Sequence, residues 1–432
     1  MKTYFIESLG CAKNLVDSEV FAHHLQNAGY APADDPEDAK LVLINTCAFL
    51  QSSLAEFDEI LSAYAERKNQ GEIEQLLVSG CVMNRALEDF IDLFPEVDLW
   101  IPLKEFKVLD HYLGLRNQGA TERVPLEDNF YRYLRISDGC NNHCSYCAIP
   151  SIRGSLRSKP MNMLVPETYK LCGEGAREII MIAQDSAMYG KDYYGYQVLP
   201  KLLGELVGYK KIHWLRVLYL HPDHFDLSWL QLWKDHPRLL PYFEIPIQHS
   251  EDHILHAMNR QLGRAELLEL FSKIREVLPN AIFRTTLISG FPGETAVDHR
   301  NLLDFIREVP FMHLGVFAYS REPGTPAHDM PKQVNEEVAE RRRDELLSLH
   351  RSLMTPMLES YVGQTLEVLV ESVVEPDPEN GNDETSYIGR AWFQAPDIDG
   401  VVFISGGEAV PGTFIQVEVE DVIDVDLFAR IV

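Results

Sequence analysis

Apolar positions along the chain fall into three regimes. In the first, residues 1–113, short apolar runs at 4–9, 41–44 and 76–79 alternate with helically spaced stretches such as Val16, Val20, Leu25 and Ala28, which stop at Gly29. Each run leads to a cysteine: Cys11, Cys47 and Cys81. The intervals of 36 and 34 positions are about the length of one βαβ unit, so this stretch predicts a parallel α/β unit. Residues 114–127 are polar and unpatterned and read as a linker.

The second regime, 128–361, places strands at 131–137, 178–183, 213–220, 243–248, 282–289 and 312–319. Helical patterns fall at 164–175, 199–208, 255–258 continuing through 265–277, and 297–309. Six successive βα units imply a parallel sheet, open or curled into a partial (β/α)6 barrel. Residues 334–361 read as one long helix whose charged run, 340–345, is a solvated face. The third regime, 362–432, shifts to short alternating runs at 366–370, 387–392, 401–404 and 414–419 continuing to 425, which predict a small antiparallel β-barrel. The fold class is α/β with a small all-β unit at the C-terminus.

Composition changes this picture in three ways. A 432-residue chain exceeds one ordinary core, and 46% hydrophobic with 24% charged residues is the make-up of a globular protein. The N-terminus lacks a signal-like apolar stretch and no run approaches a membrane span, so no membrane is expected and a cytoplasmic location is. Seven cysteines, an odd number, favour metal or redox chemistry over a disulfide framework. The net charge of -27 opposes a phosphate-binding footprint, although it serves solubility equally well.

The densest chemistry follows the strand at 131–137, where Cys140, Cys144 and Cys147 stand at Cys-x-x-x-Cys-x-x-Cys spacing. Soft thiolates select zinc, copper(I) or an iron–sulfur cluster. Structural zinc wants four ligands, and the only nearby fourth, His143, is poorly placed between Asn142 and Cys144. A cluster held by three thiolates keeps one iron open. Cys11, Cys47 and Cys81 end three strands of one parallel sheet and therefore converge on a second metal site, or else are three buried free thiols. Cys172, His221 and His249 read as packing residues.

The loop, with aromatic Tyr146 just before its last cysteine, resembles that of the radical S-adenosylmethionine enzymes. The likeness extends further. Residues 10–19, Asn45-Thr46-Cys47 and Ser79-Gly80-Cys81 resemble the N-terminal domain of the methylthiotransferases. Cys147-Ala148-Ile149-Pro150, Arg153-Gly154, Ala183-Gln184-Asp185, 245–249, 290–295 and 319–326 resemble their radical domain, and Gly389-Arg390 with 395–400 resembles their C-terminal TRAM barrel. Ala12-Lys13 after Cys11 looks like the RimO-like branch, which modifies a ribosomal protein, where the tRNA-modifying branch more often has Gln-Met.

The resemblance implies two [4Fe-4S] clusters, on Cys140, Cys144 and Cys147 and on Cys11, Cys47 and Cys81, together with S-adenosyl-L-methionine. In such a scheme the first cluster reductively cleaves S-adenosylmethionine to a 5′-deoxyadenosyl radical, which removes hydrogen from the β-carbon of an aspartate in the twelfth small-subunit ribosomal protein. The second presents the methylated sulfur. An electron donor such as a flavodoxin or ferredoxin is implied. Tyr146, Arg153, Gln184, Asp185, Gln248, Gly290, Gly293 and Glu294 are the cofactor-binding candidates; no catalytic side chain is assigned. Arg153 also reads as a surface ion pair, and Gly-Phe-Pro-Gly as a plain turn.

Charge speaks to the substrate. Residues 362–432 carry fifteen acidic side chains against Arg390 and Arg430, a net of -13 that repels phosphates and attracts a basic ribosomal protein. Nucleic acid is therefore not expected as the direct substrate. The competing readings are a tRNA adenosine methylthiotransferase, a non-catalytic zinc-binding module and a two-cluster electron carrier.

Overall fold

The computed structural model describes residues 2–116, 122–376 and 385–432. Residues 117–121 of the expected linker, and Asp377, Glu379, Asp383 and Glu384 of the acidic C-terminal unit, lie outside them.

The N-terminal unit is a five-stranded parallel sheet, ordered Ala31–Pro32, Thr3–Ser8, Leu41–Thr46, Gln75–Gly80, Leu99–Trp100. The run at Leu41–Thr46 is apolar at consecutive positions because both faces are covered. Leu41, Leu43 and Leu77 meet Val20, Phe21 and Leu25 of helix Ala12–Asn27, whereas Val42, Ile44 and Val78 meet Phe57 and Leu61 of helix Gln51–Asn69. The outer strands hold two residues each, too few for a periodicity to reveal.

The central unit carries the six expected parallel strands, Tyr131–Arg135, Glu178–Ile182, Trp214–Val217, Tyr242–Glu244, Ile282–Ser289 and His313–Ala318. They form two three-stranded sheets joined by a parallel bridge between Leu215 and Leu239 and by the Leu220 N–H donating to the Glu244 carbonyl at 2.9 Å. The third and fourth strands are shorter than the pattern suggests. Tyr219 (φ +61°) and Gln248 (φ +70°) turn left-handed just beyond them, a conformation sequence periodicity does not register. The helix expected through 255–277 is two, Asp252–Ala257 and Arg264–Val277, and the long C-terminal helix spans Glu336–Glu359.

The C-terminal unit is a closed five-stranded barrel in the order Thr365–Val374, Ser386–Ala391, Val402–Ser405, Asp426–Ile431, Phe414–Ile423. It is not antiparallel throughout: the seam between Val402–Ser405 and Asp426–Ile431 is parallel. The run expected to continue to 425 instead ends at Ile423, and a turn with Asp424 at φ +55° starts a separate last strand. This barrel abuts the beginnings of the central strands. Arg390 pairs with Glu178 at 2.8 Å, and Asp399 with Arg284 at 2.7 Å. The opposite ends of those strands are left to the chemistry. Among the described residues no helix is long and apolar enough to cross a membrane.

Candidate active site

Parallel register brings the first three cysteines together. Ser8 pairs with Asn45, and Thr46 with Gly80, so Cys11, Cys47 and Cys81 follow neighbouring strands at one sheet edge. Gly10 makes the approach possible: at φ +91°, an added Cβ would lie 2.5 Å from Cys47 Cβ. Asn14 holds the edge, its amide donating to the Leu9 and Thr46 carbonyls at 3.0 and 2.9 Å.

The other three cysteines lie on the loop after strand Tyr131–Arg135. Gly139, at φ +70°, has no room for a side chain, because a Cβ would sit 2.2 Å from the Ser155 carbonyl oxygen. Backbone N–H groups of Asn142 and Ile149 donate to Cys140 and Cys147 Sγ at 3.4 and 3.5 Å. Arg260 props the loop, its guanidinium donating to the Tyr146 hydroxyl at 2.7 Å and to His221 Nε2 at 2.6 Å.

All six cysteines line one cavity of about 450 Å³ between the N-terminal and central units. Of the other candidates, Tyr146, Arg153, Gln184 and Gln248 line it as well. Asp185, Gly290, Gly293 and Glu294 do not. Asp185 accepts from Asn142 Nδ2 (3.0 Å) and the His224 ring (2.6 Å), so it supports the loop from behind. Glu294 closes its own turn, accepting from the Phe291 N–H at 3.2 Å and pairing with Arg342 at 3.0 Å. A Cβ on Gly290 would strike Ala339 of the long helix, whereas one on Gly293 would meet open space. Arg153 is buried, not on the surface. It faces Asp138 at 3.3 Å and Asp17 at 3.5 Å and bonds Asn14, tying the loop to the first helix.

The structure adds wall residues that sequence patterning missed: Lys13, Tyr219, Glu244, Arg260, Phe317 and His221, the last expected to be packing. Only Lys13, inside the motif at Cys11, stood near a sequence signal. His143 is exposed and off the cavity wall, and Cys172 is buried in the central core.

The thiols suit a metal centre. Burial pushes Cys81 and Cys140 up to about 11 and Cys147 up to about 12, with charge on neighbouring thiols adding to each rise. Crowded thiols that resist ionising together become thiolates when a cation enters among them. Each group offers three sulfurs, and the wall's other ligand types, His221 and Glu244, are engaged by Arg260 and by the Tyr219 N–H, so the donor sets fit clusters with an open iron better than closed zinc.

Comparison with known proteins agrees with this arrangement. Residues 3–102 match the profile of the uncharacterized protein family UPF0004, 134–306 that of the radical SAM superfamily, and 362–432 that of the TRAM domain. The chain is 37% identical to the ribosomal protein uS12 methylthiotransferase RimO of Lachnoclostridium phytofermentans, over 99% of both chains. It is 37% identical to that of Thermotoga maritima, again over 99% of both, and 38% to that of Desulfotalea psychrophila, over 100% of this chain and 99% of the other. The chain belongs to the RimO family. Among solved structures, this RimO-family chain is similar in fold to the radical S-adenosylmethionine methyltransferase TsrM of Kitasatospora setae. The TM-score is 0.55 at 13% identity, covering 75% of this chain and 74% of that one.

Proposed function

We propose that the protein is a radical S-adenosylmethionine methylthiotransferase that places a methylthio group on the β-carbon of an aspartate in ribosomal protein uS12. The observation that carries the reading is the convergence of six cysteines, from two distant parts of a RimO-family chain, on one cavity. Cys140, Cys144 and Cys147 would hold one [4Fe-4S] cluster, and Cys11, Cys47 and Cys81 a second. When bound, these groups and S-adenosylmethionine supply the one-electron chemistry that opens an unactivated C–H bond and the sulfur that replaces the hydrogen.

The chain's own residues do the rest. Arg153 fixes the distance between the two cysteine groups by holding Asp17 and Asp138 together. Asp185 braces the loop from behind through Asn142, and Arg260 braces it on the cavity side through Tyr146. Phe49 and Ile149 give the wall an apolar share that limits water around a reactive intermediate. Gln248 and the amide oxygen of Gln184, whose nitrogen donates to Asp138 at 3.1 Å, would meet bound cofactor in the cavity. We place the three units at 1–113, 128–361 and 362–432, with a flavodoxin or ferredoxin as electron donor and the cytoplasm as the site of action.

The tRNA alternative is not favoured, since the named relatives act on a ribosomal protein and the C-terminal unit is acidic. The test offers uS12 and tRNA in parallel to reconstituted, reduced enzyme with S-adenosylmethionine. A methylthio mass gain on uS12 alone supports the reading; a gain on tRNA alone overturns the substrate.

A further inference from the structure

Lys13 stands two positions after Cys11, at the start of helix Ala12–Asn27, and its side chain reaches the shared cavity. The residue is only 8% exposed, and Nζ lies 3.4 Å from the centroid of the Tyr219 ring. Among the described residues no carboxylate forms an ion pair with it, although the chain carries 66 acidic side chains. The acid on the same wall, Glu244, attracts Lys13 without pairing with it: it accepts from the Tyr219 N–H at 3.0 Å and faces Arg284 at 3.6 Å. Arg153, the neighbouring cation, already has Asp17 and Asp138. Attraction to Tyr219, Cys11 and Glu244 holds the ammonium charged in spite of its burial, and with no carboxylate paired to it, its cavity side is open to an incoming anion.

We propose that Lys13 receives the side-chain carboxylate of the accepting aspartate and so sets the choice of residue to be modified. The assignment rests on the function proposed above. An aspartate's carboxyl carbon is bonded directly to its β-carbon. A cation two residues from Cys11 therefore brings that β-carbon beside the cysteine group assigned to sulfur delivery. An asparagine, uncharged at the same position, would leave Lys13 unpaired on binding. Lys13 acts here as a specificity residue, and its effect belongs to substrate binding.

The test measures binding, not turnover. Cluster-loaded enzyme, kept oxidised so that nothing reacts, is titrated with uS12 and with uS12 carrying Asn in place of the accepting Asp. The wild type is expected to bind the Asn form about tenfold to a hundredfold more weakly, the range of a hydrogen bond to a charged group. Lys13→Gln is expected to bind both forms alike, and Lys13→Met, apolar and of similar length, serves where the first variant is unstable. Equal binding of the two forms by wild type, or discrimination that survives either substitution, overturns the proposal. So does a variant that loses iron or S-adenosylmethionine affinity, because Lys13 would then serve a cluster or the cofactor. A wild-type enzyme that never methylthiolates uS12 on reduction overturns the functional reading itself, a separate result.

Discussion

Arg153 reaches from the helix that follows the three-cysteine loop to Asp17 of the first helix, 3.5 Å away, and to Asp138 at the loop's own entrance, 3.3 Å away. One guanidinium thus joins two units of the fold at the point where their cysteines face each other. Arg153→Ala is expected to cost about 1–3 kcal/mol by leaving buried acceptors poorly paired. Its larger effect is expected on sulfur transfer: reductive cleavage of S-adenosylmethionine persists, while methylthiolated uS12 falls at least tenfold. Product analysis for both reactions on one sample checks this.

A second joint lies at the other end of the central strands. Burial alone would raise Glu178, but Arg216 at 2.6 Å and Arg390 at 2.8 Å outweigh it and hold the carboxyl below the ordinary glutamate range. Its folded pKa is therefore lower than its unfolded one. The stabilisation is present above the unfolded value, about 4.3, and is lost as pH falls through the folded value. The difference in urea midpoint between wild type and Glu178→Gln is expected to stay level from neutral pH to about 5 and then shrink. Arg390→Ala, which strips one partner from a buried charge, is expected to destabilise by about 3–5 kcal/mol at neutral pH.

Tyr146 and Arg260 form a third test. The hydroxyl accepts from the guanidinium at 2.7 Å. Tyr146→Phe leaves a buried Arg260 donor unpaired and is expected to cost about 1–3 kcal/mol. The loop should loosen, seen as faster iron loss to a chelator, with the iron on Cys11, Cys47 and Cys81 unaffected.

Much of this arrangement was legible in the sequence, and the reasons differ by residue. Cys11, Cys47 and Cys81 follow apolar runs at βαβ intervals, and a parallel sheet leaves such residues nowhere to go but one edge. Cys140, Cys144 and Cys147 announce themselves by spacing. Tyr219 did not, since it leaves its strand by a left-handed turn that side-chain patterning does not encode. Arg260 reaches the loop from after a short helix more than a hundred residues away in sequence. Asp185 and Glu294 sit in suggestive motifs, yet their oxygens are turned to neighbouring protein groups, a matter of side-chain direction rather than identity. Asp426–Ile431 escaped notice because a two-residue turn separates it from the preceding strand.

The two cysteine groups are expected to separate by function. Cys144→Ala should abolish cleavage of S-adenosylmethionine while leaving iron on the N-terminal group. Cys47→Ala should keep cleavage and stop methylthiolation, which mass spectrometry of uS12 reads directly. A Cys47→Ala enzyme that still methylthiolates at the normal rate would remove the second group from the reaction.

The most direct measurement is the iron and sulfide content of anaerobically reconstituted protein, taken beside a variant with Cys11, Cys47 and Cys81 all changed to Ala. Two four-iron clusters predict about eight irons and eight sulfides per chain in the wild type and about four of each in the variant. About four in both, or zinc in place of iron, would contradict the two-cluster account.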